Sequence, residues 1–326
     1  MQYRRLGRSG VQLSVIGLGS YLTIGSHVDD ETSRACIRAA YDAGVNFFDT
    51  ANAYSRGKAE EALGRLLADY RRDSIVLATK VWAPMGEGSN DRGLSRKHMF
   101  EQCHASLRRL RTDYIDLYQC HRFDPNTPLE ETIRTMEDLM RQGKVLYWGV
   151  SEWTAPQIAA AQGICRANGW QPMSSNQPRY NLMYRYPERE VFPLCEQEGI
   201  GQVNFSPLAH GVLSGKYKPS APIPPGTRAA DATQNKIMMD MYWGDEKLRK
   251  AQEAAKLAGE LRITPAQLAI AWCLRQPVLT SVITGATRVE HVEDNVKAAE
   301  ITLSEEAVEK LDTLFPLPDT VPPAGP

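Results

Sequence analysis

Short apolar runs alternate with longer amphipathic segments along almost the whole chain, and this alternation restricts the fold more than any other feature. Segments 29–44, 95–111 and 128–144 show helical periodicity, with acidic, Ser or Pro residues at their starts and Gly or basic residues at their ends. Alternating strands and helices favour parallel strands joined by right-handed crossovers. Eight such units predict an α/β fold, a closed (β/α)8 TIM barrel. The predicted strands are 15–19, 45–50, 74–80, 114–121, 145–151, 173–177, 201–206 and 281–285.

Two segments depart from this alternation. Residues 3–15 read as an N-terminal β-hairpin, YRRLG and VQLSV around a turn at RSG. Segment 207–244 is long and rich in Pro and Gly, and it follows the seventh predicted strand, where a long loop is often a lid over a site. Because neither segment resembles a domain linker, we expect residues 1–326 to form a single domain.

The amino-acid composition excludes some classes of binding partner for this chain. The chain carries 38 Lys and Arg against 39 Asp and Glu, so it lacks the positive charge that nucleic-acid binding requires. Its six cysteines are scattered without metal-ligand spacing, which predicts reduced thiols and no metal site. The start MQYRRLGRSG has no apolar core, and no apolar run reaches about 18 residues. We therefore expect a cytoplasmic protein that acts on a small molecule, without a membrane partner.

Four chemically active side chains stand at or just after the ends of three consecutive predicted strands. Asp49 closes the second strand with Tyr54 in the loop behind it, Lys80 closes the third and His121 closes the fourth. Neighbouring strands lie about 4.8 Å apart, and barrel active sites form at the carboxyl ends of the strands. Each residue alone has an ordinary structural explanation. Their joint placement predicts that they converge at one site.

This set of side chains is suited to carbonyl chemistry. Tyrosine has an ordinary pKa near 10, and an adjacent ammonium at Lys80 is expected to lower that pKa toward the working range. A buried lysine needs a carboxylate to stay charged, and Asp49 is at hand. His121 can orient a carbonyl oxygen by hydrogen bonding. Because no side chain donates hydride, reduction of that carbonyl requires a nicotinamide beside Tyr54.

These residues resemble the catalytic tetrad of the aldo-keto reductases, in the segments FFDTANAY, LATK and QCHR. The resemblance runs from RRLGRSGVQLSVIGLG to GATRVEHVEDN, and it is closest to the branch of potassium-channel β subunits and their bacterial relatives. It implies NADPH-dependent reduction of an aldehyde or ketone to an alcohol, an oxidoreductase activity on CH–OH donors. Tyr54, Lys80, Asp49 and His121 are then catalytic.

The resemblance also implies a cofactor lying extended across the carboxyl-terminal rim. By position, Ser151, Glu152 and Gln177 match residues that hold the carboxamide, and Phe205 matches the ring that stacks on the nicotinamide. Lys216 and Arg228, in the long loop, match the phosphate contacts of a cofactor clasp. The remaining implied cofactor residues are Ser20, Asp49, Ser206, Pro207, Leu208 and Gly211.

The segment GATRVEHVEDN lies where the cofactor's 2′-phosphate is expected. Gly285 ends the last predicted strand, and a helix starts just after it, an arrangement that favours phosphate. The common family pattern has Lys-Ser and a later Arg here. This chain has Gly285 and Thr287, with His291 at the arginine position and Arg288 as a substitute. NADPH is therefore expected with NADH possible, and Asn295 matches an adenine contact.

Aromatic residues follow four of the predicted strands near the same rim. They are Tyr21, Trp82, Phe123 and Trp153. We expect them to form an apolar collar that binds the carbonyl substrate and excludes water. Their identity does not select one substrate. The outer helices of a barrel also leave room for a homo-oligomer.

Three other functions compete with this interpretation. A Rossmann dehydrogenase is disfavoured because Leu22 stands where its third glycine would be. A Schiff-base aldolase would use Lys80 as a nucleophile, which Asp49 opposes by keeping the amine protonated. The third alternative is a cofactor-bound regulatory subunit with little turnover, as the channel-associated relatives suggest.

Overall fold

Ten β-strands form a closed barrel and a separate hairpin in the computed structural model, which describes residues 1–233 and 235–320. The eight barrel strands are β3 (Ile16–Gly19), β4 (Phe47–Asp49), β5 (Val76–Val81), β6 (Ile115–Cys120), β7 (Val145–Ser151), β8 (Ser175–Gln177), β9 (Gly201–Asn204) and β10 (Leu279–Thr284). All neighbours are parallel, and β10 pairs with both β9 and β3 to close the ring. The predicted (β/α)8 barrel is confirmed.

The N-terminal hairpin is also confirmed, as β1 (Tyr3–Arg5) paired antiparallel with β2 (Gln12–Ser14). Its apolar residues Leu6 and Leu13 are fully buried in one cluster with the inward-facing barrel residues Phe47, Ala78 and Leu117. The hairpin lies at the amino-terminal end of β9, where a Cβ on Gly7 would come within 2.1 Å of the Gly199 carbonyl oxygen. It therefore closes the end of the barrel opposite to the strand termini that carry the candidate site.

Several of the described helices begin at a residue whose side chain caps them. Asp29 Oδ1 accepts a hydrogen bond from Thr32 N at 2.8 Å at the start of the first helix, and Ser95 and Thr154 cap two others. The described helices are α1 (Asp30–Asp42), α2 (Lys58–Leu66), α3 (Arg96–Leu110), α4 (Leu129–Arg141), α5 (Ala155–Asn168), α6 (Val191–Glu198), α7 (Lys236–Tyr242), α8 (Asp245–Glu260), α9 (Pro265–Leu274), α10 (Val289–Lys297) and α11 (Glu305–Leu314). Within the described ranges, no helix is both long and apolar enough to cross a bilayer.

Element boundaries differ from the prediction by a few residues. β5 extends one residue past Lys80 because Val81 still pairs with Cys120, while β6 ends before His121, whose N–H nevertheless donates to the Val81 carbonyl oxygen at 2.9 Å. β10 begins at Leu279 because that residue pairs with Gln202 of β9. The long loop after β9 is confirmed, but it contains the short helix α7. Gln234, within that loop, lies outside the described residues.

Candidate active site

A buried ion pair joins the ends of β4 and β5. Lys80 Nζ lies 2.6 Å from Asp49 Oδ2 and also donates to the Thr50 carbonyl oxygen at 2.8 Å. The second carboxylate oxygen of Asp49 accepts a hydrogen bond from Gln177 Nε2 at 3.0 Å, across the barrel. Lys80 is 0% exposed and Asp49 3%. Strand alternation explains the convergence, since Phe47 and Asp49 share the inward face of β4.

Tyr54 lies in the loop that follows β4, with its hydroxyl oxygen 3.4 Å from Lys80 Nζ. The next two residues, Ser55 and Arg56, take φ angles of 49° and 53°, in the left-handed region that is uncommon for non-glycine residues. This tight turn brings the chain back to the rim. The Tyr54 ring packs 5.7 Å from the His121 ring, centroid to centroid, in an edge-on arrangement. The structure thus brings all four predicted catalytic residues together.

Burial and charge act in opposite directions on Lys80. Burial alone would lower the pKa of Lys80, but the Asp49 carboxylate and the Tyr54 phenol outweigh it, so the pKa lies above the ordinary 10.5. The amine is therefore charged at neutral pH. This state opposes the aldolase alternative, which needs a neutral amine as the nucleophile.

The expected effect of Lys80 on Tyr54 requires a correction. Burial raises the pKa of Tyr54 above the ordinary 10.0, and the Lys80 ammonium opposes this rise without reversing it. The sequence argument counted only the charge, whereas the surrounding side chains also desolvate the phenolate. Tyr54 is consequently a neutral phenol with a proton to donate at neutral pH.

His121 is a neutral imidazole in this environment. Burial, followed by the charges of Lys80 and Arg122, lowers the pKa of His121 well below the ordinary 6.5. Its Nδ1 is buried without a hydrogen-bond partner among the described residues. A neutral imidazole offers one N–H donor and one acceptor, so it can donate to a carbonyl oxygen placed beside Tyr54.

The residues expected at the nicotinamide end lie on β7, β8 and the loop after β9. Ser151 Oγ donates to the Gln177 carbonyl oxygen at 2.9 Å. Glu152 takes a φ of 57°, and its Oε1 accepts a hydrogen bond from the Arg179 N–H at 2.6 Å. Phe205 is partly exposed just beyond β9. An aromatic face and polar groups therefore flank the rim on the side opposite to Tyr54.

Comparison with known proteins agrees with this geometry. The profile of the aldo/keto reductase family matches residues 15–315. The chain belongs to the aldo/keto reductase family. It is 42% identical over 320 residues to a probable voltage-gated potassium channel subunit beta of Oryza sativa subsp. japonica, covering 96% of each chain. It is 43% identical over 305 residues to a protein of the same name from Arabidopsis thaliana, covering 92% of each.

The second half of this aldo/keto reductase barrel carries a group of cations suited to phosphate. Arg228 is half-buried, and neither Arg228 nor Lys216 has a carboxylate within 4 Å among the described residues. Desolvation, and then the charges of Arg228 and Arg288, lowers the pKa of Lys216. Mutually repelling cations of this kind are stabilised by a polyanion. The residues present therefore fit the phosphates of the nicotinamide cofactor that this family uses.

The predicted 2′-phosphate loop after β10 is open to solvent. A Cβ on Gly285 would meet only the Thr23 methyl group, at 3.8 Å. Thr287 Oγ1 lies 3.3 Å from His291 Nδ1, and Arg288 makes a 3.7 Å ion pair with Glu290. Asn295, by contrast, is only 3% exposed on α10. Little of the Asn295 side chain is therefore open to a ligand, and its adenine contact stays a prediction.

The four predicted substrate-binding aromatics have different environments. Tyr21 is 42% exposed, and its ring lies 5.0 Å from that of Tyr54, while Trp82 and Phe123 are partly buried. Trp153 is only 2% exposed and packs edge-on against Phe123 in the helix-facing core. Trp153 therefore has almost no accessible surface and supports Phe123, and its predicted substrate contact stays a prediction.

Sequence reasoning missed several residues of this aldo/keto reductase site. Thr50 accepts from both Lys80 and the Ser20 hydroxyl. Arg122 follows His121 directly but was not singled out, and Arg179 contacts the long loop through Met241. Adjacency to a predicted site residue was an available signal for Thr50 and Arg122. No sequence signal links Arg179 to a residue 62 positions away.

His210 is a buried histidine at the rim whose protonation state can be tested. Its Nδ1 lies 3.3 Å from Arg228 Nη1 and must accept this hydrogen bond, because a guanidinium only donates. Burial, followed by the charges of Arg228 and Arg179, lowers the pKa of His210 from 6.5 to about 3. The neutral imidazole therefore contributes stability that is fully present above pH 6.5 and is lost as the pH falls toward 3.

We expect His210→Asn to weaken the dependence of the unfolding free energy on pH below 6.5. Asn tolerates the φ of 56° at this position. Urea denaturation at a series of pH values would measure the slope for the wild type and the variant. Equal slopes would show that His210 is not held neutral by the fold.

Proposed function

We propose that this chain reduces an aldehyde or ketone to an alcohol with NADPH, and that Tyr54, Lys80, Asp49 and His121 are its catalytic residues. One observation carries the proposal. The neutral phenol of Tyr54 lies 3.4 Å from the amine of a fully buried Lys80–Asp49 ion pair, beside a neutral imidazole. Tyr54 is the proton donor, the ammonium of Lys80 stabilises its conjugate base, and the imidazole of His121 is a second donor that positions the carbonyl.

Each side chain has a separate part in the reaction. The substrate's carbonyl oxygen accepts hydrogen bonds from the Tyr54 hydroxyl and from an N–H of His121. Ser151, Gln177 and Phe205 would hold a dihydronicotinamide that would supply the hydride for the carbonyl carbon. Tyr54 gives its proton to the oxygen, and Lys80 stabilises the resulting phenolate until solvent returns a proton. Asp49 keeps Lys80 charged and in place.

The proposed cofactor contacts divide along the rim. Ser151, Gln177 and Phe205 would hold the nicotinamide end, and Lys216, Arg228 and Arg288 would bind the phosphates. The other proposed contacts are Ser20, Asp49, Glu152, Ser206, Pro207, Leu208, Gly211, Gly285, Thr287, His291 and Asn295. The proposed preference for NADPH over NADH rests on these cations, because the 2′-phosphate adds negative charge that they can compensate.

We expect Arg228→Gln to raise the Kd for NADPH by about 10- to 100-fold, the usual worth of a charge-assisted hydrogen bond. Quenching of protein fluorescence or calorimetry would measure it, with Arg108→Gln as a matched control on the remote carboxyl end of α3. The affinity of wild type for NADPH should also fall with added salt. An unchanged Kd would remove Arg228 from the cofactor site.

A panel of aldehydes and ketones assayed with NADPH and NADH in parallel tests the function. We expect loss of nicotinamide absorbance with at least several aldehydes and a lower KM for NADPH. Borohydride trapping of a covalent adduct on Lys80 would support the aldolase instead. Absence of turnover with every carbonyl, in protein shown to bind NADPH, would refute the proposed activity.

A cofactor-bound regulatory subunit remains the second candidate, and one observation favours it. Both plant relatives named above are called potassium channel subunits, at 42% and 43% identity over nearly the whole chain. The intact tetrad, with a histidine at position 121, favours turnover in this chain. Tightly retained NADP with negligible turnover would support the regulatory alternative. We also propose that residues 1–326 act as one cytoplasmic domain, consistent with its buried free cysteines.

A further inference from the structure

Several buried or half-buried arginines outside the rim are paired with carboxylates, whereas Arg4 donates to backbone carbonyl oxygens instead. Arg72 pairs with Asp116, Arg109 with Glu60 and Arg185 with Glu188. This matching is expected, because a desolvated guanidinium without an anion is costly. Among the described residues, two partly buried arginines near the tetrad lack any carboxylate within 4 Å. They are Arg122 and Arg179.

Arg122 is held beside the reacting groups by neutral acceptors. Its Nη1 donates to the His121 carbonyl oxygen at 2.6 Å and to Ser151 Oγ at 3.4 Å. No hydrogen bond from its Nε or Nη2 is made to the described residues. These contacts fix the guanidinium at the end of β6 without neutralising it. Its remaining donors are available to a ligand.

Arg179 follows β8, two strands from Arg122, and the charges of both arginines act on the Tyr184 phenol. Its guanidinium carbon lies 5.2 Å from the Tyr184 ring centroid and 5.6 Å from that of Phe205. Its Nη1 contacts only the Met241 sulfur, at 2.6 Å, and its Nε is buried without a partner among the residues described. The nearby acid, Glu152, already accepts from the Arg179 backbone N–H. A thioether is a weak acceptor, so the charge of Arg179 is not compensated.

The position of Arg122 separates it from the cofactor's phosphates. Arg122 directly follows His121 at the end of β6, next to β5, which carries Lys80. Arg228 and Lys216 instead follow β9, three strands further around the ring. Three strand spacings amount to about 14 Å. The charge of Arg122 also lowers the pKa of both Tyr54 and His121, so it acts at the place where the carbonyl must lie.

We propose that Arg122, supported by Arg179, binds an anionic group on the carbonyl substrate, so that this reductase prefers aldehydes or ketones bearing a carboxylate or a phosphate. The inference rests on the proposed function and deepens it. The reacting carbonyl lies at Tyr54 and His121, and the anion lies against the Nε and Nη2 edge of Arg122. Carboxylate and phosphate oxygens both match this planar donor edge.

Matched substrate pairs test the preference. 4-Carboxybenzaldehyde is compared with methyl 4-formylbenzoate, and glyceraldehyde 3-phosphate with glyceraldehyde, which separates carboxylate from phosphate recognition. The aldehyde group of methyl 4-formylbenzoate is more electrophilic than that of the carboxylate. Intrinsic reactivity would therefore favour the neutral substrate, the opposite of the expected preference. For at least one pair, we expect the wild-type kcat/KM to be at least about tenfold higher for the anionic member.

Variants at position 122 test whether the Arg122 side chain causes the preference for anionic substrates. We expect Arg122→Gln to lower kcat/KM for the preferred anion by about 10- to 100-fold more than for its neutral partner, mainly through KM. Arg122→Lys should recover part of the loss, and Arg108→Gln, on the remote end of α3, should change neither. Equal losses for both substrates, or no wild-type preference in either pair, would overturn the inference.

A binding measurement separates this inference from the proposed activity. The alcohols 4-(hydroxymethyl)benzoate and 4-(hydroxymethyl)benzamide are titrated into the NADP-loaded protein, and glycerol 3-phosphate is compared with glycerol. We expect the wild type to bind at least one anionic alcohol more tightly than its neutral partner. The Kd for that anion should be about tenfold higher in Arg122→Gln. If turnover is absent but this pattern holds, only the reductase proposal fails. Equal binding of charged and neutral ligands would reject the anion site.

Discussion

Replacing Tyr54 with phenylalanine is expected to lower kcat for carbonyl reduction by at least about 100-fold while NADPH still binds with nearly unchanged Kd. General acid catalysis contributes about 100- to 10,000-fold, and the Tyr54 hydroxyl is the phenol that lies within 3.4 Å of Lys80 Nζ. The variant removes one hydroxyl whose only hydrogen bond among the described residues is the 3.4 Å contact from Lys80 Nζ. Folding should therefore be little affected.

Steady-state kinetics on the best aldehyde, with a parallel NADPH titration, would check this expectation. Tyr21→Phe is the matched control, because that ring lies 5.0 Å from Tyr54 and is 42% exposed. We expect the control to retain kcat within about threefold, since its hydroxyl has no proposed part in proton transfer. Activity that survives in Tyr54→Phe would mean that another group supplies the proton.

Replacing Lys80 with methionine is expected to affect both activity and stability. Methionine leaves the Asp49 carboxylate buried without its counter-ion, and breaking a buried pair typically costs about 3 to 5 kcal/mol of unfolding free energy. The loss should be present at neutral pH. Because the pKa of Lys80 is raised in the fold, the stabilising charge is complete below the ordinary 10.5 and is lost only as pH rises through the higher folded-state value.

The double variant Lys80→Met with Asp49→Asn separates the two effects. The asparagine that replaces Asp49 keeps an acceptor for Gln177 Nε2 and removes the uncompensated charge, so we expect much of the stability to return. Activity should stay at least about 100-fold below wild type, because the ammonium hydrogen-bonded to the Tyr54 oxygen is then missing. Denaturation and kinetics on the same preparations would measure both. Recovery of activity together with stability would reduce Lys80 to a structural residue.

The residues that converge at the rim were predictable because strand periodicity is a local property. A period of two places Phe47 and Asp49 on one face of β4, and a parallel barrel brings all carboxyl ends of its strands to one side. Reading the order of strands and helices was therefore enough to place Asp49, Lys80 and His121 together. The hairpin was predictable for the same reason, from its turn and flanking strands.

The properties of those residues were not predictable in the same way. The pKa of Tyr54 is raised because burial removes water from the phenol, an effect that counting charges in the sequence omits. Trp153 is buried by packing on Phe123, although its position after β7 suggested a place in the collar. In both cases the decisive quantity is solvent exposure, which depends on segments remote in sequence.

The sequence alone determined the order of strands and helices, the face that the polar strand ends share, and the family to which the chain belongs. Each of these depends on residues that are neighbours along the chain. Only the tertiary structure determined which remote segments of the chain contact each other. Gln177 reaches Asp49 over 128 positions, and Met241 reaches Arg179 over 62. These contacts set which charges are compensated and which remain open to a ligand, since desolvation and pairing depend on three-dimensional proximity rather than on local pattern.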